Sequence, residues 1–175
     1  MALVQEIETE RPRGFTACRL EELYERHAQA AVRLGYLLTG DRELARDLVQ
    51  DAFVKLARRL VHIRQPASFE WYLRRTMVNL AISNARRVKA ERARVERVAR
   101  MSPMASSLGE HTVEAREDLR RALLRLPERQ RAAVVLRFYE DLSVEQTAEV
   151  MGCPTGTVKS LVSRAMDALR LEVSR

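Results

Sequence analysis

The stretch from Ser143 to Leu171, SVEQTAEVMGCPTGTVKSLVSRAMDALRL, leaves the chain fewer ways to fold than any other. Ser143 followed three residues on by Gln146 is a capping box: the hydroxyl takes a free backbone N–H and the amide reaches back, so a helix starts there. Val144, Ala148 and Met151 fall on one face of it, and Gly152 closes it, because glycine takes the left-handed backbone of a helix end at little steric cost. After a tight turn Pro154 opens a second helix, in which Val158, Leu161, Val162, Ala165 and Leu169 converge on one inward stripe. Lys159, Ser160, Ser163 and Arg164 are left to face out, with Thr157 as a further donor and acceptor near the start of the helix. Two short amphipathic helices across a Gly-containing turn make a helix-turn-helix pattern. A helix that enters a major groove needs donors and acceptors for base edges, with cations beside them for phosphates, and these residues supply both. An ordinary helical hairpin with a solvated polar face fits the same segment, so the remainder of the chain decides.

At 175 residues the chain can hold one ordinary domain or two small ones. Its 31 Lys and Arg against 24 Asp and Glu leave a formal charge of +7, which permits a polyanionic partner without requiring one. High charge, sparse aromatics and few Gly or Pro predict an all-α chain. Cys18 and Cys153 stand far apart without His at ligand spacing, so neither a disulfide framework nor a zinc site is expected, and a reducing cytoplasm fits. The opening MALVQEIETERPRG lacks a basic start followed by an apolar core, and no run is long enough to cross a bilayer; residues 1–19 read as a disordered tail, with no membrane insertion. His27, His62 and His111 lie in unrelated segments. With no nucleophile beside a base, no paired carboxylates and no metal-ligand cluster, the expectation is a protein without catalytic residues, metal or cofactor.

In chain order, helical spacing of Leu20, Leu23, Tyr24, Ala31, Leu34 and Leu38 predicts a first helix ended by Gly40. Asp41 caps a second, whose Ala45, Val49, Ala52, Phe53, Leu56 and Leu60 face the core. Its opposite face carries Asp47, Gln50, Asp51, Val54 and Arg58, one apolar residue among charges, which suits a protein partner but also an ordinary solvated face. VHIRQPASF reads as a loop around Pro66, with Ser68 starting the next helix. In that helix Leu73, Met77, Leu80 and Ala81 point inward, whereas Tyr72, Arg75, Asn79, Ser83 and Arg86 line another side. An aromatic, hydrogen-bonding groups and guanidinium groups on one stripe are what holding an unpaired base and its backbone requires; a solvated face remains open too. Beyond Arg92 the pattern thins, and the Ser-rich MSPMASSLGEHT reads as a flexible linker over 93–112 between domains 20–92 and 113–175. The second domain starts with VEAREDLRRALLRL, its Leu119, Ala122, Leu123 and Leu126 inward, then a helix from Pro127 carrying Ala132, Val135, Leu136 and Tyr139 to the same core. With the two helices of the opening stretch this makes a four-helix unit, the whole being two small helical domains, the second containing the helix-turn-helix.

DLVQDAFVKLARR, then FEWYLRRTMVNLAISNARR, then LRLPERQRAAVVLRFYEDLSVEQTAEVMGCPTGTVKSLVSRAMDALR, in that order, resemble a bacterial RNA polymerase sigma factor of the extracytoplasmic-function (ECF) type in the sigma-70 family, from about Leu20 to Leu171. The resemblance implies that the helix from Asp47 to Arg58 docks on the clamp helices of core RNA polymerase, with Asp47, Gln50, Asp51, Val54 and Arg58 in contact, and that the second domain meets the polymerase flap. It implies that the loop from Val61 to Glu70 and the helix from Trp71 to Arg87 melt the minus-ten element and hold its unpaired strand through Trp71, Tyr72, Arg75, Asn79, Ser83 and Arg86. Thr155, Thr157, Lys159, Ser160, Ser163 and Arg164 would then read the minus-thirty-five element in the major groove. A cytoplasmic protein, monomeric when active and held in check by an anti-sigma factor, is the corresponding expectation. Ser83 stands where many relatives carry Asp, and Leu161 where many carry Arg; no further downstream domain is expected. A stand-alone helix-turn-helix regulator acting as a dimer on symmetric half-sites is the alternative from the residues alone. Promoter sequence, activating signal and the arrangement of the two domains in the free chain are not written in the sequence.

Overall fold

The computed structural model describes residues 17–59, 66–98 and 114–173, all in helices or the short turns between them. The order is α1 (Ala17–Thr39), α2 (Arg42–Arg59), α3 (Pro66–Val98), α4 (Glu114–Arg125), α5 (Glu128–Val134), a π-helical turn (Val135–Tyr139), α6 (Val144–Met151) and α7 (Thr155–Val173). Residues 1–16 of the expected tail, Leu60, His62, His111 and residues 99–112 of the expected linker lie outside the described residues, whereas residues 17–19, read as tail, already belong to α1. Among the described residues no helix is long and apolar enough to cross a membrane.

The turn between α1 and α2 forms as its residues dictate. Gly40 takes φ +76 and bonds its N–H to the Tyr36 carbonyl at 2.7 Å. Asp41 Oδ1 then accepts from the backbone N–H of Glu43 at 2.8 Å and of Leu44 at 3.1 Å, satisfying two of the free donors at the start of α2. α1 and α2 run back on each other and α3 crosses both, so that Leu34, Val49, Ala52, Leu56, Phe69, Leu73, Met77 and Val78 are buried together. Each such large side chain contributes roughly 1.5–3 kcal/mol on leaving water. Tyr24 is half-exposed, and its ring and that of Phe53 meet edge to face at 4.9 Å between centroids.

Two boundaries differ from expectation. α3 starts at Pro66, not Ser68 or Trp71, because the fixed φ of proline suits a first helical position and its missing N–H has no partner there to lose. The same helix runs on to Val98, past the thinning of its apolar pattern at Arg92.

In the second unit Ala122, Leu123, Leu126, Ala132, Val135 and Leu136 are buried as expected. Leu119, expected inward, is 55% exposed; Arg120 takes the protected place, its guanidinium 5.7 Å from the Tyr36 ring centroid and donating to the Gly40 carbonyl. Tyr139, also expected inward, is 48% exposed. The π-helical turn is the cause: its extra residue per turn, with the Glu140 N–H bonded five residues back to Val135, rotates residue 139 off the stripe that a regular helix would continue from Val135 and Leu136.

The sequence leaves open how the two units sit, and the structure packs them together. Ala132, Ala133, Val135, Leu136, Val150 and Met151 join the α1–α3 residues in one continuous apolar cluster. Thr147, in the middle of α6, is fully buried and its hydroxyl has no hydrogen-bond partner. Because a buried polar group left unpaired costs about 1–3 kcal/mol, Thr147→Val is expected to stabilise the fold by about 1 kcal/mol. Thermal denaturation would show it as a rise of about 2–4 °C; a lower melting temperature would refute it.

Candidate partner and nucleic-acid interfaces

Every residue of the outward α2 stripe is exposed: Asp47, Gln50, Asp51, Val54 and Arg58. Val54 is 52% exposed in a helix whose other valine, Val49, is fully buried. Asp47 and Asp51 sit one turn apart, a like-charge spacing that costs an isolated helix about 0.2–0.5 kcal/mol. An apolar residue held in water beside an unfavourable charge pair gives this face a chemistry that a protein partner would relieve, and its carboxylates would repel a phosphate backbone.

On α3, Tyr72, Asn79, Ser83 and Arg86 are exposed along one side, as the sequence expects. Trp71 is only half-exposed and packs on the core, so Tyr72 is the ring that an unstacked base can meet. The two rings meet edge to face, 4.8 Å between centroids and 86° between planes, which fixes the orientation of Tyr72. Arg75 lies with its guanidinium carbon 5.2 Å from the Trp71 ring centroid. It is not free at the surface: its Nη1 donates to the backbone carbonyl of Glu149 in α6 at 2.6 Å.

The helix-turn-helix is assembled by local chemistry alone. Ser143 Oγ accepts from the Gln146 N–H at 3.1 Å while Gln146 Oε1 accepts from the Ser143 N–H at 2.8 Å, the reciprocal pair of a capping box. At the other end Gly152 takes φ +60, and the N–H groups of Cys153 and Gly152 bond to the Ala148 and Glu149 carbonyls. This Schellman pairing satisfies carbonyls that would otherwise be stranded and turns the chain at a fixed angle. Pro154 sits just before α7, not inside it, its carbonyl accepting from Thr157 and Val158. Val158 and Ala165 are fully buried against the rest of the unit, with Leu161, Val162 and Leu169 partly so. Thr155, Lys159, Ser160, Ser163 and Arg164 are exposed, and Thr157 is half-buried at the seam. The exposed side of α7 thus offers hydroxyls flanked by two cations. Leu161 is partly buried against the core, which gives it a packing role.

The sequence gives no sign of the bonds that join these surfaces. Arg74 pairs with Glu70 one turn before it and with Glu140, which lies between the π-helical turn and α6. Arg74 and Arg75 are separated from Glu140 and Glu149 by 66 and 74 residues, beyond the reach of any periodicity in the sequence. No group of three or more His, Cys, Asp or Glu able to hold a metal occurs among the described residues.

Comparison with known proteins is specific. The family model for sigma-70 region 2 matches residues 23–91 and that for sigma-70 region 4 matches residues 116–169. The ECF RNA polymerase sigma factor SigE of Mycolicibacterium smegmatis is 35% identical over 155 residues, covering 86% of this chain and 60% of that protein. The RNA polymerase sigma-E factor of Streptomyces coelicolor is 35% identical over 153 residues, covering 87% of this chain and 85% of its own length. Among solved structures, the sigma factor RpoE in complex with the anti-sigma factor NepR from Bartonella quintana shares the fold at a TM-score of 0.69, with 23% identity over 89% of this chain and 97% of that one.

Proposed function

Since the chain belongs to the ECF RNA polymerase sigma factors of the sigma-70 family, a non-catalytic class that directs RNA polymerase to promoters, we propose how its surfaces divide that work. The α2 face with Val54 at its centre docks on the polymerase clamp helices through Asp47, Gln50, Asp51, Val54 and Arg58, and the second unit meets the flap. The α3 stripe of Tyr72, Arg75, Asn79, Ser83 and Arg86, braced by Trp71, captures the unpaired strand of the minus-ten element. Thr155, Thr157, Lys159, Ser160, Ser163 and Arg164 read the minus-thirty-five element in the major groove. Domains 20–92 and 113–175 act as separate arms joined by the segment between them.

The physics suits that assignment. Extracting a base from the stack costs a few kcal/mol, which base–aromatic stacking of about 1–3 kcal/mol per base and a cationic track can offset. Hydroxyls and cations on α7 can bond base edges and phosphates in a groove wide enough for a helix. Neither arm needs high affinity, because binding of one makes the second contact effectively intramolecular. The protein acts as a monomer in the cytoplasm, and an anti-sigma factor is its proposed regulator, the kind of partner held by RpoE, which shares its fold.

The observation that carries this reading is the exposed Val54 stripe coexisting with the exposed α3 and α7 faces in one chain. Run-off transcription tests it. Core polymerase from the same organism, supplied with this chain and genomic promoter fragments, is expected to give discrete transcripts that core alone does not. Failure to form an open complex on any such fragment would overturn the assignment.

A further inference from the structure

A cleft of about 700 Å³ opens where the end of α1, the start of α2, the middle of α3 and the first turn of α5 meet. Small-molecule sites ordinarily measure about 300–1,000 Å³. Leu38, Leu44, Ala81, Ala85 and Val88 give it an apolar wall, and Val88 is left 39% exposed at the rim. None of its described lining residues belongs to the faces assigned to polymerase or DNA, so nothing in the proposed function accounts for it.

Set in that wall is Arg131 of α5, only 8% exposed. A guanidinium carries five N–H donors. Here Nε has no hydrogen-bond partner, and Nη1 reaches only the Leu124 carbonyl at 3.4 Å, longer than the usual span of such bonds. Burial pushes the group down from the ordinary arginine range, and the nearby Glu128 carboxylate offsets part of that. Arginine keeps its charge in proteins, so this is a sheltered cation short of acceptors, a costly state that an anion would relieve.

The other polar groups of the cleft narrow the choice of anion. Asp41 Oδ1 is occupied in capping α2, and the Thr39 hydroxyl donates to the Gly35 carbonyl at 2.8 Å. Asn84 Oδ1 accepts from Arg87 at 3.0 Å, which leaves its amide N–H groups to donate, and Lys89 stands exposed beyond it. What remains unspent is mostly donors: Arg131, Asn84 and Lys89 against the carboxylate of Glu128.

We propose that this cleft binds an amphiphilic monocarboxylate, a fatty-acid-like molecule whose carboxylate pairs with Arg131 and whose chain lies along Leu38, Leu44 and Val88. A carboxylate matches a guanidinium fork to fork, and Asn84 and Lys89 can donate to the oxygen that is left. A phosphate dianion fits less well, because it would face Asp41 and Glu128 with only two cations to meet it. The site holds whether or not the polymerase and promoter faces are assigned correctly.

Isothermal titration of the full chain with octanoate, below its micelle concentration, tests the proposal. Saturable binding at one site is expected, with 1-octanol at least about tenfold weaker, the factor that a hydrogen bond to a charged group contributes. Arg131→Met, apolar and of similar length, is expected to lose the preference for the acid over the alcohol. Val88→Glu, at an exposed position, retains the fold and sets a like charge at the rim, which is expected to weaken octanoate about tenfold. Should Arg131→Met not fold, Val88→Glu and the alcohol decide alone. Absence of saturable octanoate binding, equal affinity for octanoate and 1-octanol in the parent, a preference for the acid that survives in Arg131→Met, or octanoate affinity unchanged in Val88→Glu overturns the site. Tighter binding of octyl phosphate, mostly a dianion at neutral pH, overturns the carboxylate assignment.

Discussion

Core RNA polymerase is expected to bind the Val54→Arg variant at least about 100-fold more weakly than the parent chain, a loss of about 2.7 kcal/mol. The fold should not notice, since Val54 is 52% exposed and surface substitutions of this kind lie within about 0.5 kcal/mol. At the centre of a docked interface the same change is severe. A guanidinium there must shed water, and hot spots at the desolvated centre of an interface carry most of the binding energy. Arg58, one turn on, adds like-charge repulsion, whereas Asp51 can offset only part of the cost. Lys55→Ala, exposed but off the stripe, is the matched control and should bind within about twofold of parent. Surface plasmon resonance on immobilised core enzyme, with melting temperatures by circular dichroism, decides the matter. Equal binding by Val54→Arg and parent would remove the α2 face from the polymerase contact; a large fall in melting temperature would mean that Val54 is a packing residue after all.

What the sequence made legible was whatever depends on neighbours within a turn or two. The capping box of Ser143 and Gln146, the left-handed Gly152, the Asp41 cap and the inward Val158 and Ala165 could all be read, because each is set by the chemistry of three to five consecutive residues. Periodicity erred where the helix itself changed pitch: a π-helical turn takes Tyr139 off the buried stripe, and nothing in VLRFY announces it. It erred also at Leu119, because an arginine found a ring on α1 and the Gly40 carbonyl just beyond it and took the sheltered side. The union of the two units was invisible for a different reason. Arg75 read as part of an outward stripe on α3, Arg74, Glu140 and Glu149 carried no reading of their own, and only the tertiary packing brings them together. The outward residues of α2, α3 and α7 were legible as faces, since a face is a periodic property; the half-burial of Trp71, Arg75 and Thr157 within those faces was not.

Tyr72→Ala combined with Asn79→Ala is expected to lower promoter opening by about 100-fold or more, with binding to core polymerase unchanged. The estimate joins about 1–3 kcal/mol for one lost base–aromatic stack with about 0.5–1.5 kcal/mol for lost amide hydrogen bonds. Structural cost is small by comparison. Both residues are exposed, and the contact forfeited is the edge-to-face pair of Tyr72 with Trp71, worth about 0.5–1.5 kcal/mol beyond area. Permanganate reactivity of thymines in the opened region measures the effect directly, and a template mismatched across that region tells capture from melting. If these side chains hold the displaced strand, premelting restores only the share of the deficit that unpairing accounts for, a few kcal/mol at most, and the stacking share persists. Full rescue on the mismatched template would mean that the residues serve only to break the pairs. Permanganate signals at the parent level on the intact duplex would mean that the exposed side of α3 is not where the strand is held, and the division of labour between α3 and α7 would have to be redrawn.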